Sequence, residues 1–100
     1  MLWIKANLNS ILQVEKECYI TNSTLGLHKH HIYGAANRNI SEKNGFWIWL
    51  RADYHNTNSR IDVHHNREFD LKLKRECQAK YEETHNREEF VKLIGRNYLD

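Results

Sequence analysis

Proline is absent from this chain of 100 residues, cysteine occurs twice, glycine four times and methionine once. Without proline, no helix is broken in its interior by a ring that lacks an N–H. Cys18 and Cys77 stand far apart and form no C-x-x-C, which excludes a zinc ribbon and a disulfide framework. Reduced thiols in a cytosolic protein are the expectation. Long apolar runs are also missing. The opening MLWIKANLNSIL is interrupted by Lys5 and Asn7, so neither an export signal nor a membrane span is expected. Charge of one sign is scarce as well: 15 Lys and Arg against 13 Asp and Glu leave +2, with a pI of about 8.6. That balance permits a nucleic-acid partner but is far from a strongly basic signature.

The chain is nevertheless built to fold. Its 40% hydrophobic residues, three Trp and five Tyr argue for a packed globule, and 28% charged residues with so little net charge argue against disorder. The length fits one domain, 1–100, with a single modest core. No internal repeat or low-complexity segment is present.

Ile4, Leu8, Ile11 and Leu12 recur at helical spacing, which predicts a short amphipathic helix over residues 3–14. Turn-forming TNST and Gly26 precede a predicted strand through Leu27 to Ile32. Residues 33–45, YGAANRNISEKNG, read as a long loop with one helical turn after Ser41. FWIWL, residues 46–50, is the clearest strand. It sets Phe46, Ile48 and Leu50 on one face and Trp47 and Trp49 on the other, so both faces should be covered. A long helix is predicted from about Asn66 to Thr84, with Phe69, Leu73, Cys77 and Tyr81 in one row and Leu71 beside it. A last helix follows in NREEFVKLIG, where Asn86 and Glu89 can form a capping box and Gly95 can end it.

Seven histidines are many for so short a chain, and six of them (His28, His30, His31, His55, His64 and His65) fall between residues 28 and 65. Imidazoles gathered in this way suit a divalent transition metal held by three protein ligands with one position open. On a strand His28 and His30 share a face and His31 points to the other, so His31 needs a different task. An imidazole beside a metal-bound phosphate, itself uncoordinated, can serve as general base.

LHKHHI, then a loop, a hydrophobic strand, YHN and VH together resemble the HNH or ββα-metal nucleases, in particular small bacteriophage-type members. Similar runs are CYIT, LHKHHI, ANRNISEKNGFWIWLRADYHN, LKLKRECQ and GRNYL, so the resemblance spans roughly residues 9 to 99. It implies an α+β fold, with a ββα-metal core of a two-stranded antiparallel hairpin and a helix, flanked by N- and C-terminal helices. By the same resemblance His30, His55 and His64 match ligands of one divalent ion (Mg, Mn, Ni or Zn), with His65 competing for the last place. His31 matches the base that activates water, and the implied products carry 5′-phosphate and 3′-hydroxyl ends.

Lys29, Arg38, Arg51, Arg60 and Arg67 lie near the histidines and are candidates for phosphate contact or ordinary surface cations. Asn37 and Arg38 are favoured, because a glycine-containing loop approaches a phosphate closely. The DNA-binding candidates are therefore Lys29, Asn37, Arg38 and Arg51. Trp47 and Trp49 are read as covered strand residues rather than base-stacking platforms. CYIT has Thr21 where zinc-stabilised relatives carry a second Cys, so no structural zinc is expected.

The sequence departs from the family pattern in two places. The asparagine that many members carry on the second strand would fall near Phe46, with Gly45 and Asn44 beside it. His55 and His64 are nine apart and cannot share one helical face as an i, i+4 pair would. Two readings follow. One is a phage-encoded DNA endonuclease of replication, recombination or packaging, acting in the host cytoplasm, with packaging or recombination proteins as partners and a homodimer where both strands are cut. The other is a binding protein on a degenerate HNH scaffold, such as a phage inhibitor of a host defence nuclease, favoured by the missing asparagine and the low net charge.

Overall fold

The computed structural model describes residues 9–55 and 66–99. Strands β1 (Leu27–His31) and β2 (Trp47–Arg51) pair antiparallel, with His28 opposite Leu50, His30 opposite Ile48 and His31 opposite Trp47. Helix α1 (Arg38–Asn44) lies between them in sequence, and α2 (Ala52–His55) continues directly from β2. Helices α3 (Arg67–Tyr81) and α4 (Arg87–Ile94) complete a small α+β fold.

A two-stranded sheet is marginal in water unless something packs on it. Here Phe46, Ile48 and Leu50, all 0% exposed, meet Leu73 and Cys77 of α3 and Phe90 and Ile94 of α4, with Ile32 and Tyr33 just beyond β1. The other face of β2 is covered differently. Trp47 is buried and Trp49 half-buried, beneath the ammonium groups of Lys29, 4.2 Å from the Trp47 ring centroid, and Lys16, 4.5 Å from that of Trp49. Cation–π attraction and the aliphatic stems of the lysines replace a second apolar layer.

The helix predicted over 3–14 is corrected where it is described: residues 9–14 are irregular, and the remainder of that range lies outside the described residues. β2 has an edge that β1 does not pair, and its unpaired backbone groups need partners. The segment after Asn9 supplies them. Ser10 Oγ donates to the carbonyl of Trp47, Trp49 N–H donates to Gln13 Oε1 at 2.7 Å, and Tyr19 N–H donates to the carbonyl of Trp49 at 2.8 Å. Leu12 and Gln13 N–H groups donate to Ser10 Oγ at 3.0 and 3.2 Å, closing a local turn instead of a helix.

The connection 33–45 is more ordered than a loop with one late turn. After a 3-10 turn at Ala35–Asn37, α1 runs from Arg38 through seven residues. Ser41 decides this. Its fully buried hydroxyl donates to the carbonyl of Tyr33 at 2.7 Å and accepts from Tyr33 N–H at 3.1 Å, stapling the helix to the end of β1. Gly45, at φ 74°, then ends the helix and turns the chain into β2.

α3 starts where Asn66 accepts the Phe69 N–H at 2.9 Å, and it ends at Tyr81 rather than Thr84. Leu73 and Cys77 are its buried centre, with Phe69 and Tyr81 packed at either side. Burial pushes the Cys77 thiol up to about 12. Both cysteines are buried free thiols.

α4 has the predicted capping box, Glu89 N–H to Asn86 Oδ1 at 2.8 Å and Asn86 N–H to Glu89 Oε1 at 2.9 Å, and ends at Gly95. Asn86→Ala removes one arm and should lower stability by about 1 kcal/mol in urea unfolding, leaving the native circular dichroism unchanged. Beyond α4, buried Gln78 pins the chain: its amide donates to Asn97 Oδ1 at 2.8 Å and its carbonyl accepts Tyr98 N–H at 2.8 Å. No helix among the described residues is long and apolar enough to cross a membrane.

Candidate functional site at the end of the hairpin

Strand alternation divides the adjacent histidines. His30 faces the core side opposite Ile48 and is 5% exposed, whereas His31 lies opposite Trp47 on the other face. His28 shares the face of His30, but at the start of β1 it is exposed. Because His31 is the last strand residue, a cleft at that end is lined by both His30 and His31, together with Asn37, Arg67, Asp70 and Lys74. Its volume is about 550 Å³.

His31 Nε2 lies 2.6 Å from Glu42 Oε1, and the other carboxylate oxygen of Glu42 is 3.3 Å from Lys29 Nζ. The hydrogen bond from His31, reinforced by Lys29, holds the Glu42 carboxyl below its ordinary range. Glu42 sits 11 positions beyond His31 in sequence, on α1. Nothing in local periodicity marks it. The contact exists because Ser41, its neighbour, staples α1 onto the end of β1.

Across the cleft, Lys74 Nζ is 2.8 Å from Asp70 Oδ2, an i, i+4 pair on α3, and Tyr33 donates to the Lys74 carbonyl at 2.7 Å. Arg67 is exposed at the first position of α3. Asn37 reaches the cleft through a turn in which Ala35 has φ 50°, a left-handed conformation that costs a non-glycine residue about 1–2 kcal/mol. The Asn37 amide donates to the Ile94 carbonyl at 3.0 Å, tying this turn to α4.

The candidate phosphate contacts are thus dispersed. Asn37 lines the cleft and Arg38 is exposed beside it. Lys29 lies on the tryptophan face, paired with Glu42. Arg51 pairs with Leu27 at the far end of the hairpin, about 13 Å along the strand from His31. Its guanidinium grips Asp53 through two bonds of 2.6 and 2.7 Å, which hold the Asp53 carboxyl below its usual range.

A divalent ion of the kind inferred from the histidines needs about three protein donors. The cleft offers His30 as one. Asp70 is already neutralised by Lys74, and among the described residues no group of three His, Cys, Asp or Glu converges. His55 ends α2, a helix that packs against both strands, but its side chain and the whole of His64, His65 and Arg60 lie outside the described residues. Asn44 does not stand in for the expected strand asparagine. It is the last residue of α1, its amide donating to the Ile40 carbonyl at 2.8 Å, and Phe46 is in the core.

Comparison with known proteins finds no matching family model, no matching curated protein and no matching solved structure.

Proposed function

We propose that this chain is a metal-dependent DNA endonuclease of the HNH kind. The observation that carries the reading is the antiparallel hairpin that ends β1 in His30 and His31 beside one cleft and runs from β2 straight into a helix closing with His55. In this reading His30, His55 and His64 hold one divalent ion, which when bound neutralises charge on the phosphate and the departing oxygen. His31 takes a proton from the attacking water as its oxygen bonds to phosphorus. The bond from phosphorus to the 3′ oxygen breaks, leaving a 5′-phosphate and, after protonation, a 3′-hydroxyl. Asn37, Arg38 and Arg67, grouped around or beside the cleft, position the backbone without reading sequence.

Supercoiled plasmid tests this directly. Protein stripped with chelator should leave it intact, and adding back Mg, Mn, Ni or Zn should give nicked or linear DNA with at least one of them. Intact plasmid in every metal, with one equivalent of metal bound, would remove the enzymatic reading. The alternative, a binding protein on the same scaffold, draws its support from the missing strand asparagine, Asn44 being bonded within α1, and from a net charge of only +2. It expects tight protein binding and indifference to His31.

A further inference from the structure

We propose that Glu42 is the positioning residue for His31, doing from helix α1 what a second-strand asparagine does in HNH nucleases. This rests on the nuclease reading of the same site. The residues nearest the position expected for that asparagine cannot serve: Asn44 is committed to the Ile40 carbonyl, Gly45 has no side chain and Phe46 is in the core. Glu42 instead meets His31 Nε2 at 2.6 Å.

Three features fix the geometry of this contact. The His31 side chain is only 13% exposed, held opposite Trp47 at the end of β1. The backbone bearing Glu42 is set by Ser41, whose buried hydroxyl bonds Tyr33 in both directions, and by the Gly45 stop. Lys29 engages the second carboxylate oxygen, so the two oxygens have separate partners. A ring that donates Nε2–H to a carboxylate keeps its Nδ1 lone pair available, and the same carboxylate then faces the cation formed when Nδ1 takes a proton. The pairing therefore selects the tautomer and orientation of the base. Glu42 acts only through His31 and has no assigned role at the attacking water or the phosphate.

The test compares Glu42→Ala and Glu42→Gln in the full chain, with melting temperature as the check on folding. In proton NMR of the metal-loaded protein, the His31 Nε2–H resonance should be slow to exchange, lost in Glu42→Ala and retained in Glu42→Gln, whose amide oxygen still accepts. With plasmid and the activating metal, Glu42→Ala should lose about 10- to 100-fold in kcat at unchanged KM, and Glu42→Gln should recover part of that loss. An unchanged Nε2–H signal in Glu42→Ala overturns the hydrogen bond. A lost signal with unchanged kcat overturns the positioning role. If the natural protein cleaves nothing while the signal behaves as described, the nuclease reading falls and the catalytic role of Glu42 with it, leaving the hydrogen bond established. Should Glu42→Ala fail to fold, the kcat and resonance of Glu42→Gln decide: full loss of both overturns the proposal.

Discussion

On the nuclease reading proposed above, His31→Ala should lower plasmid cleavage by about a hundred- to ten-thousand-fold, the range lost when a positioned general base is removed. The same protein should still bind one equivalent of metal. The two expectations separate because β1 puts His30 and His31 on opposite faces, so deleting one imidazole leaves the other in its buried position. Folding should be little affected. The His31–Glu42 pair involves a carboxylate 48% exposed, and pairs of that kind contribute at most about 1 kcal/mol. Cleavage assays, metal analysis and thermal melting of one preparation check all three points. Unchanged cleavage would remove His31 from the chemistry. Loss of metal together with activity would instead make it a ligand.

Phe46→Ala should be the most damaging change to the fold, costing about 3–5 kcal/mol, the usual cost of emptying a buried phenylalanine site. The ring is 0% exposed and stands edge-on to Tyr33 and Tyr81, each with centroids 5.5 Å away, with Phe90 at 6.2 Å. It is where the hairpin, α3 and α4 meet. Relaxation cannot easily refill the space, because the backbone of Phe46 is fixed too: its N–H donates to the Ser41 carbonyl and its carbonyl accepts Ile32 N–H, both at 2.9 Å. Small domains have about 5–15 kcal/mol in total, so the variant loses a large share of its stability and should melt well below the natural protein. Val91→Ala, on the exposed side of α4, is the control and should stay within about 0.5 kcal/mol. Urea unfolding of both variants gives the comparison. A loss below about 1 kcal/mol for Phe46→Ala would mean that the aromatic cluster is not the centre of stability.

Much of this architecture is written locally. Alternation in FWIWL sets the two faces of β2, and it does so because successive strand side chains point oppositely, whatever surrounds them. The row Phe69, Leu73, Cys77, Tyr81 marks the inner side of α3 for the equivalent helical reason. Asn86, Glu89 and Gly95 delimit α4 with hydrogen bonds that span only a few residues. Alternation also foretells that His30 and His31 part company.

Other features depend on residues far apart in sequence. Ile11 and Leu12 sit at helical spacing, yet the described part of that segment serves the unpaired edge of β2, whose demand for hydrogen bonds no local pattern records. Ser41 looks like a helix start, but its bonds to Tyr33 make it the middle of α1. Asn44 and Glu42 exchange expected importance for the same reason. Sequence by itself determined the strands, the two long helices, the caps of α4 and the placing of His30 and His31 on opposite faces at the end of β1, since each follows from a short-range period or a backbone cap. Tertiary structure alone decided that Glu42 meets His31 and that His30 shares a cleft with Asp70, Lys74 and Arg67, because those neighbours come from α1 and α3 and are brought together only when the core closes around Phe46.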